Sequence, residues 1–379
     1  MEIQDELDNQ LEEIINQKMN EILIKTTDKI SLKINETSNL IKKRITSKKI
    51  FFQKLRELRD IPIIKLINLE PNVNSLINQV LFLFANLEII AEFCFGNAND
   101  KKEMLKQLQE GNHHFIIYFI QLMQNMRNKS VINPDYIQMH QYLQYKWNNE
   151  YMNQNMKDII NAILIMLEKQ INVANEKLPN KYPNIITNNF FVTLVRKKKC
   201  HKCKIISDIK EKSTFIIDLY LRKPEVKDKN QESLHSIFSN LLSGENETEK
   251  CELCGNLIIK TKSLKNLKKY LIINLDRKND PQNLMNFIPS NPLIIYETKE
   301  DNENKEYKHQ YELIACLARI KDPKENNNQN NGNNFRIYFK NFINGKFYKT
   351  LDGKYEEFKE NIQFEILDDK PQILIYKRI

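Results

Sequence analysis

Six cysteines occur in 379 residues, and four of them form two CxxC pairs, Cys200-His-Lys-Cys203 and Cys251-Glu-Leu-Cys254. Each pair can offer two thiolates to one ion from a tight turn, and two such turns complete a tetrahedral set. Four thiolates leave no open coordination position, so the spacing predicts a structural zinc site rather than a catalytic one. Lys197, Lys198, Lys199, Lys202 and Lys204 crowd the first pair and favour its thiolates, which leaves His201 a bystander. The stretch between the pairs, residues 204–250, is long for a compact zinc ribbon and leaves room for a hairpin extension between the knuckles.

A second stretch, LINLEPNVNSLINQ at 66–79, has the shape of a reactive loop. A polar turn from Asn68 to Asn74, carrying Pro71, runs into a helical apolar pattern at Leu76, Ile77, Val80, Leu81 and Phe84. A nucleophile placed just before such a helix would be activated by the helix N-terminus. The turn itself holds no Cys, Ser or Thr.

The elements that must position these groups fall into two halves. Apolar residues at Leu7, Leu11, Ile14, Ile15, Met19, Ile22 and Leu23 have helical spacing. Ile30, Leu32 and Ile34 alternate, which leaves strand or poor helix open, and a helical pattern resumes through Leu40, Ile41, Ile45, Phe51 and Leu55. From Asn74 to about Glu176 the chain reads helical, with a clear stripe at Met156, Ile159, Ile160, Ile163, Leu164 and Leu167. From about Thr187 short β-branched and aromatic runs take over, among them TFIIDLYL, KYLIINLDR, NPLIIY, YELIACLARI, FRIYFKN and PQILIYKRI. Helices followed by many strands predict an α+β fold. Residues 322–334, DPKENNNQNNGNN, form a polar loop with nothing to bury.

An apolar fraction of 41% suffices for a packed core, and the net charge of +9 is scattered among acidic residues, as on a solvated surface. The acidic N-terminus matches neither a signal nor a transit peptide. No uncharged apolar run approaches the roughly 20 residues that span a bilayer. The expected setting is intracellular, cytoplasmic or nuclear, where paired cysteines favour metal over disulfide.

With zinc knuckles set between a helical and a strand-rich half, the chain resembles the ubiquitin-specific protease family over roughly residues 60–379. The 66–79 stretch resembles the family's Cys box, Asn-Leu-Gly-Asn-Thr-Cys-Tyr-Met-Asn-Ser-Leu-Leu-Gln. Aligned without gaps on Asn74-Ser75-Leu76-Ile77, the nucleophile position falls on Pro71; aligned on Asn68-Leu69, the cysteine is deleted. The oxyanion-stabilising Asn falls on Leu66 or Asn68 accordingly. Asn153 to Ile160 is similar to the Gln-Gln-Asp-Ala-x-Glu-Phe-Leu helix, with Asp158 at the Glu. Tyr311 to Leu317 is similar to Tyr-x-Leu-x-Ala-Val-Val, and NNFRIYFKN resembles Gly-His-Tyr-x-x-Tyr, with Asn333 at the Gly and Asn334 at the catalytic His. GKFYKTLDG places Asp352 at the orienting acid, and PQILIYKRI resembles the closing strand.

The resemblance implies a papain-like fold of this family: a helical thumb at about 60–185, zinc-bearing β fingers at about 190–275, and a palm with C-terminal strands at about 265–379. Together these make a domain at 59–379, and residues 1–58 become a mostly helical extension that either docks on a partner or folds back on its own domain. Thiol proteolysis needs a nucleophile, a base and a group that orients the base. Here Pro71 has no nucleophilic atom, Asn334 cannot take a proton at neutral pH, and Asp352 has nothing to orient. Cys94 follows the apolar helix, Cys316 sits in an alternating strand, His113, His114 and His140 fall in the thumb, and His309 precedes a strand. None stands in the motif register. The expectation is a pseudoenzyme, a scaffold for protein partners in a larger assembly, with weak ubiquitin binding left open. Two alternatives remain: a deubiquitinase with an unusual site, and a basic zinc-ribbon nucleic-acid binder using Arg196, Lys197, Lys198, Lys199, Lys202 and Lys204.

Overall fold

A computed structural model describes residues 18–19, 25–39, 42, 46, 48–49, 51–55, 57–62, 71–96, 99–131, 139, 141, 155–178, 182–200, 202–204, 206–221, 232–242, 245–276, 287–298, 306–320, 335–351, 354–366 and 369–379. The expected helix at the extreme N-terminus, the first part of the 66–79 stretch, the Asn-rich loop, Asn334 and Asp352 lie outside these residues. The chain divides into two compact units, Met1–Glu57 and Leu58–Ile379.

In the first unit, residues 25–39 are helical. The alternating Ile30, Leu32 and Ile34 are 55%, 64% and 62% exposed. Alternation specifies a strand only when one face is buried in a sheet, and these residues are not, so helix prevails.

The helices of the second unit are α1 (Pro71–Ala85), α2 (Glu88–Phe95), α3 (Asn99–Glu110), α4 (Phe115–Arg127), α5 (Met156–Lys177), α6 (Ile185–Phe190), α7 (Leu234–Leu242) and the short α8 (Ile362–Glu365). Helix α1 begins three residues earlier than the polar turn suggested, because proline at the first helical position is already set at a helical φ and has no N–H to lose. Asn155 caps α5 by accepting the Asp158 N–H at 3.0 Å, and Asp158 lies in the first turn, where a carboxylate suits the dipole. The α5 stripe, Ile159, Ile160, Ile163, Leu164 and Leu167, is fully buried. Helices α1 and α2 bend by 77° at their junction, and no single helix among the described residues is long and apolar enough to cross a membrane.

The strands are β1 (Val192–Cys200), β2 (Ile206–Thr214), β3 (Ile216–Tyr220), β4 (Glu232–Ser233), β5 (Glu245–Lys250), β6 (Leu257–Lys265), β7 (Tyr270–Asp276), β8 (Phe287–Ile288), β9 (Leu293–Thr298), β10 (Glu306–Arg319), β11 (Phe335–Lys340), β12 (Phe347–Leu351), β13 (Lys354–Phe358) and β14 (Lys370–Arg378). They form a four-stranded sheet ordered β2-β1-β6-β5, an eight-stranded sheet ordered β13-β12-β11-β10-β14-β7-β3 with β9 beside β10, and a small β4-β8 pair. Strands β7 and β14 and the Leu313–Ala318 half of β10 are mostly buried, which is why these stretches read as apolar runs.

Three local readings change. Residues 185–190 are the helix α6, and strand begins at Val192. His309 lies within β10 rather than before it. The stretch between the cysteine pairs is not a hairpin extension: after β2 it contributes β3 to the larger sheet, parallel to β7, then α7, and returns as β5. A parallel partner this distant in sequence leaves no local signature.

Candidate functional site

Strand β1 ends at Cys200, and its pairing with β6 sets Cys200 opposite Ile258, just beyond the second CxxC turn. The two knuckles therefore stand side by side. Each closes in the same way: the Lys204 N–H donates to Cys200 O at 3.2 Å and the Gly255 N–H to Cys251 O at 2.8 Å. Both closing residues are left-handed, Lys204 at φ 60° and Gly255 at φ 66°. Glycine takes that conformation freely and lysine at a cost. All four Sγ atoms lie within 4.8 Å of one another. Individual separations are 3.3 Å for Cys200–Cys254, 3.7 Å for Cys203–Cys251 and 3.8 Å for Cys203–Cys254. A tetrahedron with zinc–sulfur bonds of about 2.3 Å has edges of about 3.8 Å, whereas a disulfide would bring sulfurs to about 2 Å.

The electrostatics agree. The Cys203 amide draws the Cys200 thiol down, and the Asn256 amide, then the Cys200 side chain, draw Cys254 down to about 6. These N–H groups stabilise thiolate, the form a metal binds. Cys200, Cys203, Cys251 and Cys254 thus fit a closed structural zinc site, as their spacing predicts.

The positions expected for proteolysis belong to another corner. Pro71 is the first residue of α1. Gln79, two turns on, donates its Nε2 hydrogen to Phe335 O at 3.2 Å, so the start of β11 lies against α1. Phe335 opens β11 and Leu351 closes β12, and the antiparallel pairing Tyr338↔Lys349 puts these two strand ends side by side at one end of the β11–β12 pair. Residues 334 and 352 flank those ends and lie outside the described residues. The Tyr355 hydroxyl donates to Pro62 O at 2.9 Å, and its ring stacks on Phe82 at 5.4 Å, anchoring the chain at Pro62.

The remaining cysteines are elsewhere. Cys94 is fully buried in α2, and desolvation pushes its thiol up to about 12 against the pull of Lys101 and Arg127. Cys316 is fully buried in β10. His113 and His114 sit in the α3–α4 turn, and His140 and His201 lie outside the described residues. His309 Nε2 meets Glu297 Oε2 at 2.7 Å while Nδ1 faces the Arg378 guanidinium, a structural tie between β9, β10 and β14.

One residue near this corner escapes sequence reasoning. Arg127, the last residue of α4, is 1% exposed. It donates to Ala85 O from Nε at 3.3 Å and Nη2 at 2.7 Å, and from Nη1 to Arg59 O at 3.0 Å and Asp60 O at 2.9 Å. Its guanidinium lies 4.9 Å from the Phe342 ring. It ties residues 59–60 to the α1–α2 junction, but a basic residue closing a helix reads as solvated.

Solved structures share this architecture. A chain of the SAGA DUB module Ubp8/Sgf11/Sus1/Sgf73 bound to monoubiquitin matches with a TM-score of 0.61 at 14% identity, covering 86% of this chain and 70% of its own. The module bound to ubiquitin aldehyde gives 0.62 at 15% identity, covering 85% and 70%. A yeast SAGA DUB module with a mutant Sgf73 gives 0.59 at 14%, covering 85% and 69%. Identities this low establish the fold alone. No curated protein sequence matches the chain. The family profile described as ubiquitin carboxyl-terminal hydrolase, however, matches residues 7–331. With that match over most of its length, and with a cysteine cluster fitted for zinc, the chain belongs to the ubiquitin carboxyl-terminal hydrolase family.

Proposed function

We propose that this chain is a non-catalytic member of its family, a scaffold that holds protein partners within a larger assembly. The observation that carries the reading is the fate of its thiols. Four of the six cysteines form the metal cluster, and the other two are buried in α2 and β10. The head of α1, where the resemblance places the nucleophile, holds Pro71. The base position holds Asn334, and the orienting acid Asp352 is left without a base. Loss of the nucleophile or the base alone removes nearly all the rate of such a unit. Residues 1–58 serve as the docking arm, contact with ubiquitin is weak, and a reducing intracellular setting keeps the four thiols available for zinc.

A fluorogenic ubiquitin C-terminal substrate tests the reading directly. The expected result is no turnover above background; turnover abolished by a thiol alkylator would overturn it. Calorimetric titration with ubiquitin then measures binding apart from chemistry. A native pulldown that recovered only free chain would remove the scaffold role.

A further inference from the structure

The β1–β2 hairpin with its knuckle carries eight basic residues between 192 and 214, against Asp208 and Glu211. Pairing gathers part of that charge on one face. Arg196, in an inner strand, stands directly opposite Lys210 of β2 on one side and Lys262 of β6 on the other. Lys198 stands opposite Lys260, and Lys212 continues the same face of β2 opposite Leu194. Asp208 and Glu245 take the register positions opposite Lys198 and Lys260, leaving six basic positions to two acidic ones. Like charges directly opposite one another destabilise a sheet. Lysines on an edge strand guard against aggregation, but that does not explain a cation on the inner strand with cations on both flanks.

The second observation is the edge itself. Among the described residues β2 pairs only with β1, so its outer side is an open edge. On the opposite face of this same strand, between Lys210 and the knuckle, Ile209 is 54% exposed. The edge therefore presents cations on one face and, on the other, Ile209 beside Glu211, whose charge is held by Lys265.

We propose that β2 is the docking edge for an extended acidic segment of a partner protein, which adds as a fifth strand to the finger sheet. Side chains along a strand repeat every ~6.8 Å on each face. A segment alternating acidic and apolar residues would set carboxylates beside Lys210 and Lys212 while its other face covers Ile209. Main-chain bonds would supply affinity and the alternating side chains register. Among the described residues this face carries no aromatic side chain on which a base could stack, so an acidic polypeptide suits it better than a single-stranded nucleic acid. This inference does not depend on whether the cleft is catalytic.

The test is fluorescence anisotropy on the full chain, using a labelled octapeptide that alternates glutamate with valine and a second of the same composition with its glutamates contiguous. The alternating peptide should bind at least about tenfold more tightly. Binding should be lost in the triple variant Arg196→Glu, Lys210→Glu, Lys212→Glu. It should persist in the charge-matched control Lys102→Glu, Lys106→Glu, Lys169→Glu, whose lysines are exposed on α3 and α5. One zinc per chain in both variants verifies that the fingers are folded. Equal binding of the two peptides, equal loss in the two variants, or no binding would overturn the proposal. Tighter binding of a DNA duplex of about 20 base pairs through the same three residues would overturn it in favour of a nucleic-acid partner.

Discussion

Replacing Arg127 by Met should be among the most damaging single changes outside the metal site. The guanidinium of Arg127, itself 1% exposed, reaches three carbonyl oxygens: the buried one of Ala85 and the half-buried ones of Arg59 and Asp60. Asp60 O keeps a second donor, Asn341 Nδ2 at 2.8 Å. The variant therefore strips the charge-assisted donors from Ala85 O and Arg59 O, at roughly 1–3 kcal/mol for the buried Ala85 O and less for the half-buried Arg59 O, which water can reach. Burial has itself drawn the guanidinium pKa down to about 10, so the native arrangement already bears a desolvation cost that methionine would relieve. The balance is a loss of about 3 kcal/mol, the lower end for removing one partner from a buried charged network. In the conservative variant Arg127→Lys a single ammonium nitrogen cannot serve Ala85 O and the 59–60 carbonyls together, so that variant should recover less than half.

The assay is urea denaturation followed by circular dichroism, with limited trypsin digestion of the native protein as a local probe. If Arg127 pins residues 59–62, the Met variant should be cut after Arg59 well before global unfolding. A loss below about 1 kcal/mol with unchanged cleavage would refute the clamp.

Other outcomes follow from the same geometry. In the zinc-loaded native protein an alkylating reagent should modify none of the six cysteines. After chelation it should reach Cys200, Cys203, Cys251 and Cys254, and reach Cys94 and Cys316 only on denaturation; because burial raises the Cys94 thiol to about 12, its protection should hold as pH rises to 9 or so, and mass spectrometry counts the adducts. Lys204→Gly should stabilise the knuckle by about 1 kcal/mol and slow zinc loss, since φ 60° strains lysine and not glycine; a destabilisation of that size in thermal melts would mean the left-handed turn is not needed. Asn78 is 3% exposed, and neither polar atom of its amide has a protein partner among the described residues. Asn78→Leu should therefore raise stability by roughly 1–2 kcal/mol, and a fall in the denaturation midpoint would show that the amide is satisfied after all.

How far the sequence revealed these features depended on whether the deciding interaction was local. The CxxC turns were legible because each is complete within four residues, and the register of β1 on β6 only had to bring them together. Strands β7 and β14 and the second half of β10 were legible because burial on both faces leaves an apolar run. Gly255 marks its knuckle openly, while Lys204 holds the same backbone shape under a residue that gives no hint of it. Arg127, β3 and the Glu297–His309–Arg378 tie were hidden for one reason: each is defined by a partner far along the chain. The alternating Ile30, Leu32 and Ile34 left strand and helix open, and with no sheet among the described residues to receive a strand, the helix formed.

The head of α1 shows how stability and chemistry diverge at a single position. A thiol there would gain acidity from the helix N-terminus, but it would leave the helix to start without a residue pre-set for it. Proline at the same place contributes the fixed φ and forfeits only an N–H that no helical carbonyl would have used. The neighbouring contacts follow the structural side of that choice: Gln79 is tied to Phe335 O, Tyr355 to Pro62 O, and Arg127 to the carbonyls of Arg59 and Asp60. Every one of these bonds ends on a main-chain oxygen of the segments bordering the site, and such bonds hold a backbone in place whatever side chain it carries. The corner can thus stay rigid without a reaction to perform, as a chain retained for its contacts would require.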